Sequence, residues 1–207
     1  MSANVQRGRL LHRPGAPEAL DIIRLTFLFG AVVALMRGEP DDAVRMVLTF
    51  AVVALLRLLD LPRPFDIGMM VGLGLQGWGN VFDLFQRLDW WDTLVHFALP
   101  ASLSPTLYVL LARLEVVPDL HGSRPRHHAL GMLIVTFALG MAVGGVYELY
   151  EWFADHAFGG ELRTGYGDTI KDLLMDALGS VSGGLFLVWW AGAGLGSRPR
   201  SRSREEA

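Results

Sequence analysis

Three long stretches without a charged side chain dominate this sequence. Residues 93–112, 129–147 and 177–197 contain no Asp, Glu, Lys or Arg over 20, 19 and 21 positions. A transmembrane α-helix needs about 20 consecutive apolar residues, so each stretch is long enough to cross a bilayer. With 52% hydrophobic residues, the chain is also too apolar for one water-soluble core. We therefore predict an all-α, polytopic membrane protein.

Three shorter apolar stretches precede the long ones. They run over residues 25–36, 46–56 and 67–82, with 12, 11 and 16 uncharged positions. The first two span a membrane only if the flanking residues Asp21, Arg24, Arg45 or Arg57 extend toward its surface by snorkelling. We predict that all three are transmembrane. The resulting bundle has six helices, near residues 21–37, 43–60, 65–85, 90–112, 128–152 and 169–192.

The six-helix domain, residues 21–192, leaves an N-terminal tail at residues 1–20 and a basic C-terminal tail at residues 193–207. The side of the membrane that carries both tails has 13 Lys and Arg residues, and the other side has 5. Short loops rich in Lys and Arg stay in the cytoplasm, so both termini are predicted to be cytoplasmic.

Composition also excludes some partners. A net charge of −3, with basic residues scattered between apolar runs, argues against nucleic-acid binding and intrinsic disorder. The lipid bilayer is the partner that the sequence indicates, and protein partners stay open. With no cysteine, the chain has neither disulfides nor thiolate metal ligands.

Acidic residues occur where the last three predicted helices meet one membrane surface. Because consecutive spans alternate in direction, the start of the fourth, the end of the fifth and the start of the sixth lie on the same side, which the charge count makes extracytoplasmic. Asp83, at the end of the third helix, is a further candidate. The main members are Asp92 and His96, then Glu148 and Glu151, then Asp168, Asp172 and Asp176.

Helix capping explains only part of this pattern. Asp92 and Asp168 stand at helix N-termini, where an acidic side chain caps free N–H groups. Glu148 and Glu151 instead lie near a helix C-terminus, where negative charge opposes the helix dipole. Asp176 lies about 12 Å along the axis from Asp168, at a depth where an ionisable group needs a partner or a water-filled cavity.

So many carboxylates in one place need to be neutralised, by a bound cation or by trapped protons. The basic residues nearest to them in the sequence are Arg87, Arg163 and Lys171. One imidazole among oxygen ligands indicates a divalent ion of the Mg, Ca, Mn, Fe or Zn range. The predicted ligands are Asp92, His96, Glu148, Glu151, Asp168, Asp172 and Asp176.

These motifs resemble the YjdF family of bacterial inner-membrane proteins, a group without an established biochemical activity. The resemblance covers roughly residues 60–192 and implies a multi-pass protein of the bacterial inner membrane. The chain departs from the family pattern at Ala98, where the family has Gly, and in Gly165-Tyr166-Gly167-Asp168, which lacks a Gln and precedes a gap one residue longer. The shared motifs are Asp92-x-x-x-His96-Phe97, Tyr147-Glu148-x-x-Glu151-Trp152, and Gly167-Asp168 followed by Asp172-x-x-x-Asp176.

A more distant similarity is to VanZ-like proteins. It lies in the Asp-x-x-x-His helix start, the Glu-bearing helix end, and Asp172, Asp176 and Gly179. This similarity implies a role in the cell envelope.

Three functions follow as hypotheses. The first is a divalent metal that activates water against a lipid or envelope substrate, with Glu148 as general base. The second is a proton- or cation-coupled carrier in which the same acids form a relay, which requires a polar path to the opposite surface. The third is a non-catalytic membrane component whose acids stabilise packing or bind a partner.

Overall fold

The chain is almost entirely helical. A computed structural model describes residues 18–120, 126–158 and 165–197, which confirms the all-α class. The predicted tails fall largely at residues 1–17 and 198–207, which lie outside the described residues. The helices in the described part are α1 (Ala19–Arg37), α2 (Pro40–Leu59), α3 (Arg63–Val81), α4 (Leu84–Arg87), α5 (Trp91–Arg113), α6 (His128–Phe158) and α7 (Tyr166–Gly192).

Local signals explain several helix ends. Pro40 opens α2 and Pro64 lies in the first turn of α3, where the missing N–H has no partner to lose. Gly38 ends α1 in the left-handed conformation, with φ of 80°, which a side chain rarely adopts. All six predicted helices are present within a few residues, and the one-turn helix α4 is an addition between the third and fourth.

In the part of the chain that the structure describes, four helices are long and apolar enough to cross a membrane: α1, α5, α6 over His128–Phe153, and α7. Helices α2 and α3 have similar lengths, 20 and 19 residues, but are less apolar. Asp42, Arg45 and Arg57 interrupt α2, and glycines with Gln76 and Asn80 dilute α3. The six predicted helices thus exist, but six membrane spans remain a prediction.

The helices form two packed groups. Helices α1, α2 and α3 pack against one another, as do α5, α6 and α7, and α3 joins the groups by packing on α5. The first group encloses a small core around Phe27, Met46 and Val53. The second core runs from the end of α2 through α3 to α5–α7 and contains Tyr108 and Leu187.

Large apolar side chains also point outward. On α1, Phe29 is 63% exposed and Met36 is 83% exposed. An outward apolar surface of this extent is typical of a protein surrounded by lipid rather than water.

Glycines bring α5 and α7 close together. A Cβ atom at Gly183 would lie 2.6 Å from the carbonyl oxygen of Ala101, and one at Gly179 would overlap the carbonyl of Phe97. Only glycine permits this backbone approach, which resembles the small-residue packing of membrane helices. The approach sets the distance between the acidic ends of α5 and α7.

Arg24 is buried inside the bundle rather than extended to its surface. Arg24 is 4% exposed, and its guanidinium group binds the carboxylate of Asp66 on α3 and Oδ1 of Asp21 at 2.8 Å. Its Nε also donates to the carbonyl of Val53 at 3.2 Å. Arg57 reaches the same Oδ1 of Asp21 at 3.1 Å. A buried arginine is stable here because charge partners on two helices surround it.

Candidate metal centre

His96 lies at the centre of the acidic residues that the sequence singles out. Its Nδ1 atom is 3.2 Å from Oδ1 of Asp176 on α7. Its Nε2 atom is 3.6 Å from Oδ1 of Asp92 and 4.0 Å from Oε1 of Glu148 on α6. Each of the three helices therefore contributes at least one carboxylate to a single imidazole.

Two overlapping groups of side chains have spacing suitable for a metal ion. In each group, one nitrogen or oxygen atom of every member lies within 4.8 Å of the others. The first group is Asp92, His96 and Asp172, and the second is His96, Glu148 and Glu151. The two groups therefore contain five of the seven predicted ligands, namely His96 and four carboxylates.

The other two predicted ligands have different surroundings. Asp176 contacts the Nδ1 side of His96 and belongs to neither group. Asp168 lies farther out, with Oδ1 3.5 Å from Nζ of Lys171. Their part in metal binding stays a prediction.

The centre is buried and has unsatisfied oxygens. His96, Asp172 and Asp176 are 4%, 3% and 1% exposed. Oε1 of Glu148, Oδ1 of Asp172 and Oδ2 of Asp176 are buried and form no hydrogen bond with any described residue. A buried carboxylate oxygen without a donor is costly, and several around one His indicate that a cation or protons complete the site.

Gly144 makes room for the deepest acid. A Cβ atom at this position of α6 would overlap the carboxylate of Asp176 and lie 2.9 Å from its Cβ. The absence of a side chain at position 144 therefore leaves room for the side chain of Asp176 between α7 and α6. At the next position, Gly145, no atom of the described residues lies within 4 Å of the equivalent Cβ, so this requirement is local.

Positive charge near the centre is sparse in the described part of the chain. Nζ of Lys171 lies 3.8 Å from Oδ1 of Asp172, and the lysine side chain is partly exposed. Arg163, which the sequence places nearby, is outside the described residues. Lys171 by itself does not balance the carboxylates around His96.

Asp83 does not join the centre. Its Oδ2 atom is 2.5 Å from Nη2 of Arg37 and 3.4 Å from Nη2 of Arg87. The sequence suggested this residue because it follows α3 on the same side of the bundle. Asp83 instead pairs with Arg37, the last residue of α1.

A cavity of about 190 Å³ lies beside the centre. Asp92, Glu151 and Asp168 line it together with Gln76 and Asn80 of α3. A smaller cavity of about 40 Å³ reaches His96 and Asp176. Gln76 and Tyr147 border both cavities, so they lie between the larger cavity and the buried imidazole of His96.

Sequence reasoning missed Gln76, Asn80 and the role of Tyr147. Nε2 of Gln76 donates to the hydroxyl of Tyr147 at 2.8 Å, and that hydroxyl hydrogen-bonds to Glu151. Two polar residues four positions apart in the glycine-rich run of α3 were the signal available in the sequence. They lie on one helical face, which turns toward the acids.

Buried hydroxyl groups continue inward from the centre. Ser180, one turn after Asp176, donates to the carbonyl of that residue at 2.6 Å. Ser104 and Thr136 are fully buried, and their hydroxyls form no hydrogen bond in the described structure. The interior below the acids is therefore more polar than the uncharged sequence indicates.

The model of the family described as predicted membrane protein (DUF2238) matches residues 22–193. No curated protein and no solved structure matches the chain. The family match agrees with the resemblance to YjdF proteins, and the similarity to VanZ-like proteins stays a prediction. The match covers α1 from residue 22 onward, every later helix and all the residues of the centre, and the chain belongs to this family of membrane proteins.

Proposed function

We propose that this protein binds a divalent cation at the centre around His96. The buried oxygens of Glu148 and Asp172 that form no hydrogen bond in the described part of the chain carry the proposal, because both residues belong to groups with metal-ligand spacing. A cation would satisfy these oxygens and offset the excess negative charge. Carboxylates with one imidazole suit the Mg, Ca, Mn, Fe or Zn range.

The contacts of the ring favour Nε2 as the ligand nitrogen. Asp176 occupies the Nδ1 side, whereas Nε2 faces Asp92 and Glu148. Metal-bound histidines commonly donate the other ring N–H to a carboxylate, which fixes the ring. The proposed ligands are therefore His96, Asp92, Asp172, Glu148 and Glu151, with Asp176 as a positioning residue.

Elemental analysis of protein purified in detergent without chelator tests this proposal. We expect about one divalent ion per chain in the wild type and a large loss in His96→Ala and Asp172→Asn. Asp83→Asn is the matched control, because Asp83 is an acid on the same side of the bundle but pairs with arginines. Wild-type protein that is folded but free of stoichiometric metal would overturn the proposal and favour shared protons.

We further propose a hydrolytic use of this centre, on a lipid or envelope substrate. The cavity of about 190 Å³ supports it, because the cavity shares Asp92 and Glu151 with the centre and offers space for a reacting group. A bound divalent ion would supply Lewis acidity. Glu148, half-buried beside His96, is placed to accept a proton. Glu148→Gln should abolish substrate turnover even when excess divalent ion is added to restore occupancy of the site.

Ion-coupled transport is the second candidate, and the inward hydroxyls favour it. Ser180 and Ser104 flank Gly140 below Asp176, so polar groups continue past the centre. Measurement of ion flux into proteoliposomes that contain the protein distinguishes transport from hydrolysis. Under transport, Ser180→Ala should reduce the flux, whereas Ser182→Ala, an exposed hydroxyl on the same helix, should leave it unchanged. Sealed vesicles without protein-dependent flux would exclude transport.

For location, we propose six spans in a bacterial inner membrane, with both termini cytoplasmic. The lengths of α2 and α3, about 30 Å each, support spanning despite their polar residues. Reporter fusions after residue 197 and between α2 and α3 test this arrangement. A periplasmic C-terminal reporter would contradict the orientation.

A further inference from the structure

Tyr147 contacts two of the proposed metal ligands at once. Its hydroxyl hydrogen-bonds to Glu151, one turn later on α6. Its ring lies edge-on to the imidazole of His96, with the ring centroids 5.6 Å apart and an angle of 67° between the ring planes. Tyr147 is not among the proposed ligands, but it touches the nitrogen ligand and one of the carboxylate ligands.

A hydrogen bond from Gln76 determines where the proton of the Tyr147 hydroxyl points. Nε2 of Gln76 donates an N–H to the hydroxyl oxygen at 2.8 Å. A tyrosine hydroxyl has one proton, and Glu151 as a metal ligand is an ionised carboxylate, which can only accept. The hydroxyl therefore accepts from Gln76 and donates to Glu151. The three side chains form a chain of hydrogen bonds that runs in one direction.

A carboxylate that is held by a donor at one oxygen keeps its other oxygen available for a cation. Glu148 shows the same arrangement, because it accepts a hydrogen bond from the side chain of Thr169 on α7. Its Oε1, 4.0 Å from Nε2 of His96, has no hydrogen-bond partner among the described residues. Both glutamates of α6 therefore have a hydrogen-bond donor that lies outside the ligand set. Such partners orient the ligands of a metal site.

Gln76 connects α3 to the centre. Helices α3 and α6 both pack on α5, but within the described residues no Cα atom of α3 lies within 8 Å of a Cα atom of α6. The side chains of Gln76 and Tyr147 bridge this separation. Helices α1, α2 and α3 contribute none of the proposed ligands, so this amide links them to the geometry of the centre.

We propose that Tyr147, oriented by Gln76, is a positioning residue that holds Glu151 and His96 in the geometry that binds the divalent cation. The inference rests on the proposed metal centre and gives a role in it to two residues that do not bind the metal. Tyr147→Phe separates the two contacts, since it keeps the ring beside His96 and removes the donor to Glu151.

Competition titration of the full chain in detergent, with Mn²⁺ and a metal indicator, tests the proposal. Tyr147→Phe should raise the Kd for Mn²⁺ about tenfold, while one ion per chain still binds at saturation because no ligand is lost. Tyr150→Phe is the matched control, since Tyr150 is an exposed tyrosine on the same helix. The EPR spectrum of bound Mn²⁺ should change in Tyr147→Phe and not in Tyr150→Phe. Equal Kd values for Tyr147→Phe and wild type would overturn the proposal.

A double-mutant cycle with Gln76→Met separates positioning from a general loss of stability. Methionine has a similar length but no N–H donor, so Gln76→Met should raise the Kd for Mn²⁺ when Tyr147 is present. In the Tyr147→Phe background the same change should have no effect, because the hydroxyl that Gln76 orients is gone. An equal effect of Gln76→Met in both backgrounds would overturn the orientation of Tyr147 by Gln76.

A measurement without metal distinguishes failure of this inference from failure of the metal centre. The Raman Fermi doublet of tyrosine reports whether a hydroxyl donates, accepts or does both, and the difference between wild type and Tyr147→Phe isolates Tyr147. We expect a hydroxyl that does both in the wild type and one that only donates in Gln76→Met. Bound Mn²⁺ with an unchanged doublet in Gln76→Met would overturn this inference. The expected doublets without bound Mn²⁺ would overturn the metal centre.

Discussion

Nδ1 of His96 lies 3.2 Å from Oδ1 of Asp176, although 80 residues separate them in the chain. This contact turns Nε2 toward Asp92 and Glu148. A carboxylate that holds the non-ligating nitrogen of a metal-bound histidine fixes the ring and makes it a better ligand. Asp172 and Asp176, one turn apart on α7, should therefore behave differently when changed.

We expect Asp176→Asn to weaken metal affinity by about 10- to 100-fold, because the ring loses its charged partner. Asp172→Asn should weaken metal affinity more strongly, because a charged ligand oxygen is lost. Competition titration with a metal indicator gives both Kd values, and thermal unfolding reports folding. Equal Kd values for Asp176→Asn and wild type would exclude a positioning role.

Gly144→Ala should destabilise the bundle by about 1–3 kcal/mol, the usual cost of overpacking, because the new methyl group overlaps Asp176. It should also lower metal content. Gly145→Ala is the neighbouring control: nothing lies within 4 Å of its Cβ, and alanine is the better helix former. Thermal unfolding in detergent compares the two variants, and equal Tm values would contradict the close contact at Gly144.

Arg24→Ala should destabilise the protein by about 3–5 kcal/mol, because it leaves the buried carboxylate of Asp66 without its partner. The double variant Arg24→Met with Asp66→Leu should recover much of this loss, since no buried charge remains. Arg45→Ala, which breaks an exposed pair with Asp42, should change the stability little. A double-mutant cycle measured by chemical unfolding gives the coupling free energy between Arg24 and Asp66. Additive effects of the two changes on the free energy of unfolding would argue against a stabilising ion pair.

Thr136→Val should leave stability unchanged or raise it by up to about 1–3 kcal/mol, because it removes a buried hydroxyl without a partner. Thr106→Val should instead be destabilising, because that hydroxyl donates to the carbonyl of Ser102 at 2.7 Å. Unfolding measurements on both variants test the difference. A clear loss of stability in Thr136→Val would mean that the hydroxyl is satisfied in the protein in membrane or detergent.

Much of the fold could be predicted because a bilayer imposes a length. Runs without charge, such as residues 129–147, are helices at the predicted places, and the last three helices put their acids at one end. The number of spans was harder to predict, since α2 and α3 mix polar residues with apolar ones. Their polar side chains serve contacts between helices, which a count of charges does not reveal.

The candidate site was predicted in composition but not in arrangement. His96 and its acids converge as the spacing on each helix indicated. Asp83 was misplaced because its partner, Arg37, comes from a helix that is distant in sequence. Gln76 was overlooked because two amides in a glycine-rich apolar run carry little signal until the neighbouring helix is known.

The sequence by itself therefore determined that the chain is an all-helical membrane protein with acids grouped at the ends of its last three helices. Those features depend only on the length of the stretches without charged residues and on the spacing of residues along one helix, both of which can be read from the sequence. Only the tertiary structure decided which acids meet His96, which arginine neutralises Asp66 and that Gln76 lines the cavity beside the acids. Such pairings depend on the rotation and separation of neighbouring helices, which close contacts at Gly144 and Gly183 set across the bundle.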